Sequence, residues 1–553
     1  MPSNESRENA SIPRWCFFVL PLGLGLCLSA VVVVARWLQE DTGWFFLIGL
    51  DGLLWWIATG AIIALACVVS ILYFRLRART VAGLSVAILL MLLTLSRVIR
   101  VEGYYGDRTP RWTWRWKPTA EQQIKEYLTS KKSTAPDAHT VDALTVDASP
   151  SIDVAVGCLL GPERDGRIPN VELDTQWEID PPKLLWRHPV GFGWSSIAVQ
   201  GKWAISLEQR DAEECVVCYN VRTGEELWHH AEETRFQNQY GDGPRTTPSI
   251  AGDKVVSLGA TGVLTCLELR SGQVVWRRSV FENAESQNLL FGMAGSPLVY
   301  DNKVVVTPGA GTNASAMCFS LENGEELWQC GSDEASYASP SLVELSGIRQ
   351  ILSFNGEGLR SYGLDGTELW LHPWITQGES KVNVAQPIVV DRGTISGEVE
   401  SASKILISSG YDRGTALLNV ECREGIWTTT VVWSSHQLKS KLSNFVVSND
   451  HIYGLDNGLL TCLSLASGER QWKRGRYGHG KLLLVGTNLL IQAESGEVVV
   501  VAADPAEHRE LSKIPALDGK TWNYPTLAGR ILVVRNDHEA AAFELPLVAL
   551  KDE

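Results

Sequence analysis

The sequence predicts an all-β eight-bladed β-propeller preceded by an α-helical transmembrane segment of about three helices. Three observations carry this. A Gly-x-x-x-Trp register recurs at intervals of 42 to 52 residues, a proline heads successive units, and three long uncharged runs occupy the first hundred residues.

The 553 residues hold 49 Lys and Arg against 63 Asp and Glu, and 45 % are hydrophobic, so the chain can bury a large core. Charge is unevenly placed: residues 1–117 carry twelve basic and seven acidic side chains, which leaves a net of −19 for the rest. So acidic a body argues against nucleic acid as the main partner, because phosphate binding needs a basic surface.

Residues 15–35 contain no charge, are flanked by Arg14 and Arg36, and are bracketed by Trp15 and Trp37 as at a membrane interface. A cleaved signal peptide would be shorter and end in small residues, whereas this run continues through Val31, Val32, Val33 and Val34. Spans are predicted near 15–36, 52–74 and 80–97. Arg75, Arg77 and Arg79 crowd the second link, which the positive-inside rule places in the cytoplasm, so the chain beyond the third span lies outside. Arg97, Arg100, Arg108 and Arg111 pull the other way.

Residues 111–117 alternate basic and aromatic side chains, which suits either an extended segment at lipid headgroups or a Trp stripe packed on the next domain. Thr119 and Gln122 form a capping box that opens a short helix to about Lys131, and residues 132–153 read as a linker. The expected organisation is a membrane domain over 1–117, helix and linker over 118–160, and the propeller over 161–553.

Within the propeller, Gly224, Gly272, Gly324, Gly366 and Gly468 each stand four places before Trp228, Trp276, Trp328, Trp370 and Trp472. Cys218, Cys266, Cys318 and Cys462 stand ten places before their tryptophans. Each unit reads as four short strands, with the Gly dipeptide closing the last hairpin and Pro248, Pro297, Pro340, Pro387 and Pro525 opening the first strand, where no ladder donor is needed. The units are 195–231, 246–280, 295–331, 339–373, 385–436, 443–475, 480–514 and 522–550, with Trp433 irregular. The last lacks its own Trp strand. Residues 183–190, with Trp186, form such a strand with no unit before it, so they are expected to close the eighth blade. These tryptophans, Trp186 included, are read as structural and buried between blades.

The register in 220–228 resembles the pyrroloquinoline-quinone-like (PQQ-like) propeller repeat, a family shared by quinoprotein dehydrogenases and the non-enzymatic outer-membrane assembly lipoprotein BamB. Residues 161–166, Gly-Pro-Glu-Arg-Asp-Gly ahead of Trp177, resemble the lead-in of bacterial membrane-tethered members. The resemblance implies a non-catalytic propeller in the envelope, on the periplasmic side of the bacterial cytoplasmic membrane, with an envelope protein as partner and no cofactor. The alternative it implies is a membrane-bound quinoprotein dehydrogenase. That enzyme needs a calcium held by acidic and amide side chains, an Asp base, a Trp under the quinone and, in many members, adjacent cysteines; no Cys-Cys occurs here.

Other motifs carry little chemistry. Cys215 and Cys218 have the CxxC spacing, but an odd offset on a strand sends them to opposite faces, and the cysteines are read as free buried thiols. Asp518-Gly519-Lys520-Thr521 imitates the end of a phosphate loop, but Ile514 stands where Gly is required, so it is read as a turn. Gly191-Phe192-Gly193 lacks a third Gly, His229 and His230 face opposite ways, and no metal site is expected.

In a propeller with alternating strand direction, the loops leading into the first strands and those joining the second and third strands share one face. The first set supplies Arg245, Tyr337, Lys381, Asn383, His479, Trp522 and Asn523; the second supplies Glu208, Arg210, Tyr411 and Arg413. These form the candidate partner-binding funnel. Replacing Arg245, Lys381 and Arg413 together with Ala is expected to leave folding nearly intact, because exposed charges contribute little to stability.

Overall fold

The computed structural model describes residues 99–548 except 106–108, 135–155, 162, 282–287, 310–313, 377–380, 392–394, 397–398 and 401, with isolated positions between 87 and 98. The first two predicted spans, most of the third, and most of the linker fall outside the described residues. Among the described residues, no helix is long and apolar enough to cross a membrane. The chain divides into two compact units, 1–102 with 112–117, and 103–111 with 118–553. In the first, Trp114 and Trp116 stack at 4.8 Å, and Trp112, Trp114 and Trp116 are exposed. In the second, the capping box forms as expected: Thr119 N–H donates to Gln122 Oε1 at 2.8 Å and Gln122 N–H to Thr119 Oγ1 at 3.1 Å, opening the helix Ala120–Thr134.

The propeller has eight sheets. Blade 1 is built from Ala198–Gln200, Trp203–Arg210, Glu213–Asn220 and Glu226–Glu232, and blades 2 to 7 cover 249–279, 298–330, 341–373, 388–435, 440–476 and 481–515. Blade 8 takes Thr526–Ala528, Ile531–Arg535 and Glu539–Glu544 from the end of the chain and Lys183–Pro189 from before blade 1. That last strand pairs antiparallel with Glu539–Glu544, from Glu539 opposite Pro189 to Glu544 opposite Lys183, and closes the ring.

Inner strands are covered on both faces, so Lys481–Val485 and Gly358–Tyr362 are buried throughout, while the outermost Glu226–Glu232 is half-buried or exposed. Buried apolar residues fall into eight clusters, each drawn mainly from two neighbouring blades. Cys215 belongs to the cluster between blades 8 and 1, and Cys218 to that between blades 1 and 2. The two thiols thus lie on opposite faces.

The tryptophan register has a meaning that spacing within one unit does not reveal. Five rings lie on the turn glycine of the following blade: Trp186 on Gly224, Trp228 on Gly272, Trp276 on Gly324, Trp328 on Gly366 and Trp433 on Gly468. The indole N–H then donates to a carbonyl of that blade, from Trp186 to Val221 at 2.8 Å, Trp276 to Leu321 at 2.8 Å and Trp433 to Leu465 at 2.9 Å. Trp433 is therefore a regular member, not an irregular one. Blade 5 ends in two ten-residue strands joined at Glu424 and Gly425 rather than in the short hairpin, and Trp370 donates instead to Gln350 of its own blade at 2.8 Å. Trp186, Trp276, Trp370 and Trp472 are buried, as expected, whereas Trp228 and Trp328 are only half-buried.

Candidate functional site

The first-strand loops converge on the propeller axis. The residue before each of five prolines, with two equivalents elsewhere, builds a hydrogen-bonded ring there. Backbone N–H groups donate to side-chain oxygens one blade on: Ser196 to Thr247 (3.2 Å), Thr247 to Ser296 (2.8 Å), Ser296 to Ser339 (2.8 Å), Ser339 to Gln386 (2.9 Å) and Gln386 to Asn444 (2.9 Å). Asn444 then donates to the Tyr524 hydroxyl at 2.6 Å, and Tyr524 to Ser196 Oγ at 2.8 Å, so the circuit closes while passing over blade 7. Proline favours an extended conformation in the residue before it, which suits a backbone N–H directed across to a neighbouring blade.

Residues 156–161 and 163–168 plug the axis. Val156 bridges Val199 of blade 1, Ile250 of blade 2 donates to the Gly157 carbonyl at 2.7 Å, and Arg167–Ile168 adds a parallel strand to the inner edge of blade 7. Buried Arg164 donates to Ser249 Oγ at 3.2 Å, to the Pro340 carbonyl at 2.8 Å and to the Pro297 carbonyl, tying blades 2, 3 and 4 together.

Above the plug lies a cavity of about 420 Å³, floored by Leu159 and Leu160 and lined by residues of all eight blades or the loops leading into them, among them Trp194, Arg245, Phe291, Tyr337, Val384, Leu442, Lys481 and Tyr524. It is a blind funnel rather than a pore. Among the described residues, Arg245, Lys441 and Lys481 line it and no carboxylate does. Burial pulls Arg245 down to about 10, against the pull of Asp242, and Lys481 down to about 7, against that of Glu494.

Of the sequence-predicted residues, Arg245, Tyr337, Tyr411 and Trp522 line this cavity. Lys381 is held at the rim by Glu357 at 2.7 Å and Glu334 at 3.4 Å, Arg413 stacks 3.6 Å over the Trp374 ring, and His479 donates its backbone N–H to Glu494 at 2.8 Å. Three residues are not on a rim. Asn383 is buried, accepting from Ser409 Oγ at 2.5 Å and donating to the Asn355 carbonyl at 2.8 Å, and Asn523 is buried against the Ser195 carbonyl at 2.7 Å. Glu208 is fully buried, accepting from the Gly191 N–H (2.9 Å), the Tyr219 hydroxyl (2.7 Å) and Arg210 (3.1 Å). Burial works against its charge, but Arg210, Arg535 and Tyr219 outweigh it and hold the carboxyl below its usual range. Arg210 also pairs with Glu226 at 2.9 Å, so both residues brace blade 1. Arg245 and Arg413 are likewise packed, so replacing them carries a folding cost that exposed charges would not.

Sequence reasoning missed Lys520. The 518–521 segment, read as a turn, is an irregular bend, and Lys520 in it is buried, with its ammonium 4.6 Å from the Trp194 ring centre and 4.3 Å from that of Trp522, donating to the Tyr104 and Tyr240 carbonyls at 3.0 and 2.7 Å. Beside it Arg111 pairs with buried Asp537 at 3.3 Å.

Glu214 is buried on blade 1, where Glu214 Oε2 accepts the Ala260 N–H at 3.0 Å, and burial raises its pKa to about 7. Because the folded pKa lies above the unfolded one, its contribution to stability is full below the ordinary carboxylate pKa and is lost as pH rises through about 7. Glu214→Gln is therefore expected to gain on wild type between pH 5 and pH 8, by about 3 kcal/mol at most, in thermal melts at each pH.

These features define a class: an eight-bladed propeller with a plugged axis and a blind cationic funnel. A family model described as outer membrane protein assembly factor BamB matches residues 212–474. The outer membrane protein assembly factor BamB of Kangiella koreensis is 29 % identical over 131 residues, which is 23 % of this chain and 31 % of that relative's length. Among solved structures, quinohemoprotein alcohol dehydrogenase from Comamonas testosteroni superposes with a TM-score of 0.52 at 12 % identity over 75 % of this chain and 83 % of that one. BamB from Moraxella catarrhalis gives 0.47 at 15 % identity, over 66 % and 100 %. The matches to residues 212–474 and to the BamB relative support the resemblance to a PQQ-like repeat β-propeller.

Proposed function

We propose that this chain is a non-catalytic scaffold of the bacterial envelope, tethered to the cytoplasmic membrane by its N-terminal helices, and that its propeller holds a partner protein on the periplasmic side. The observation that carries this reading is the make-up of the funnel. Calcium takes oxygen ligands, chiefly carboxylates, and the quinone chemistry of the enzymatic relatives also needs an acidic base. Among the described residues the cavity offers Arg245, Lys441 and Lys481 and no carboxylate, and no group of His, Cys, Asp and Glu could hold a metal. That donor set does not fit the PQQ and calcium pair. The match to BamB supports an assembly role, since that relative's name describes one.

Crosslinking in intact membranes followed by purification tests it. Envelope proteins are expected to copurify with wild type and to be depleted with Tyr411→Ala, Lys441→Ala at the funnel mouth. Dye-linked dehydrogenase activity after incubation with PQQ and calcium, or the absence of any crosslinked partner, would overturn the reading.

A further inference from the structure

The funnel holds donors that the described chain leaves unanswered. Trp194 Nε1 on blade 1 and Gln386 Nε2 on blade 5 are buried without a hydrogen-bond partner, and both residues line the cavity. The orientation of the Gln386 amide is set by the ring, since Gln386 Oε1 accepts the Ser339 N–H at 2.9 Å. Arg245 on blade 2 spends its guanidinium on the Gly243 and Gly241 carbonyls at 2.5 and 2.8 Å, and Lys481 on blade 7 gives its ammonium to the Leu442 carbonyl. A buried N–H without an acceptor is costly, as is a buried cation whose nearest carboxylate is out of ion-pair reach, and a guest that supplies the acceptor or the charge recovers that cost.

The geometry points to the funnel as the seat of an acidic peptide, a turn of the partner protein whose carboxylates and carbonyl oxygens meet Arg245, Lys481, Trp194 and Gln386. This rests on the protein-binding reading and names the chemistry of the contact. The donors stand on blades 1, 2, 5 and 7, so acceptors must be spread across the width of the funnel, which one small anion does not do. Phe291 and Tyr337, whose ring centres are 5.6 Å apart, offer apolar faces between the polar points to the side chains of such a turn. The floor of Leu159 and Leu160 admits a chain tip but no through-going chain. Charge complementarity adds direction: a chain of net charge −14 repels an acidic partner over much of its surface and offers it cations here.

The test uses the full-length chain in detergent and a fluorescein-labelled peptide of three Asp-Phe repeats, followed by anisotropy. Counterparts carrying Asn or Lys in place of Asp, and free benzenetricarboxylate, serve as comparison probes. The acidic peptide is expected to bind, more weakly as salt rises, and the Asn and Lys counterparts to bind at least tenfold more weakly. Arg245→Gln and Lys481→Gln should each lower affinity about tenfold, with Arg245→Lys retaining more of it than Arg245→Gln. Melting temperatures identify any variant that fails to fold, and Lys481→Gln on the opposite wall then decides. Equal binding of the Asn peptide, or binding of the tricarboxylate alone, would overturn the inference. If the crosslinked partner persists while the acidic peptide fails, the scaffold reading stands and the funnel is not the seat; if no partner is recovered, it is the scaffold reading that falls.

Discussion

Deleting Lys183–Pro189 is expected to turn a monodisperse propeller into an aggregating one. The deletion removes the outer ladder partner of Glu539–Glu544, which stays paired only with Ile531–Arg535, and leaves that strand as an open edge, the arrangement that templates association between chains. It also removes the Trp186 ring from the cluster between blades 8 and 1, alone worth about 3–5 kcal/mol. Size-exclusion chromatography and light scattering measure the outcome. Attaching the same seven residues after Glu544, through a Thr-Gly turn like those of the other blades, should restore a monomer, because the strand would re-enter the same register as a local hairpin. A deletion variant that stays monomeric with an unchanged melting temperature would mean that the strand is not a closure.

The second large effect is at the Trp276–Gly324 contact. Trp276→Ala should destabilise by about 3–5 kcal/mol, as for other buried aromatics, with the indole bond to the Leu321 carbonyl lost as well. Gly324→Ala should also be costly. Gly324 has φ +68°, and an added Cβ would stand 2.6 Å from the Trp276 ring, so steric overlap adds to about 1–2 kcal/mol for the left-handed backbone. In the double variant the overlap disappears and only the backbone part remains, so the two costs should fall short of adding. Denaturant titration of the four proteins reads this directly. Strict additivity would show that ring and glycine do not touch.

The blades were legible because their signals are local. A glycine and a tryptophan four residues apart belong to one hairpin, and Pro248, Pro297, Pro340, Pro387 and Pro525 mark where strands begin. What those residues touch was not legible, because each partner lies one blade on and no local period reports it. Thus Gly324 is spaced from Trp328 but packs on Trp276, and Trp433 looked irregular because Thr429 rather than Gly stands four places before it, blade 5 turning at Glu424 and Gly425 instead, although the ring packs on Gly468 as its counterparts do on their glycines. The residues before the prolines were in view as Thr-Pro, Ser-Pro, Gln-Pro and Tyr-Pro pairs, yet their ring appears only when these five and their equivalents Ser196 and Asn444 face one axis. At the funnel, loop position placed Arg245, Tyr337, Tyr411 and Trp522 along the cavity, but loop position does not report burial. Asn383, Asn523 and Glu208 are turned inward because polar groups there satisfy neighbouring backbone, and Lys520 escaped notice because two Trp rings shelter it.

The closing strand also acts on how the molecule is made. Lys183–Pro189 is synthesised before any strand of blades 1 to 7, and its partner is the last named strand of the ring, so the pairing joins positions about 350 residues apart. Contacts of such sequence separation slow folding, since the loop between them must be ordered before they form. Earlier blades can stack one on another as they emerge, but the eighth interface stays unmade until residue 544 is available. A product cut short before residue 539 therefore keeps Lys183–Pro189 unpaired and two blade faces uncovered, which marks it for proteolysis. Closure of the ring is in effect a length check on the translated chain.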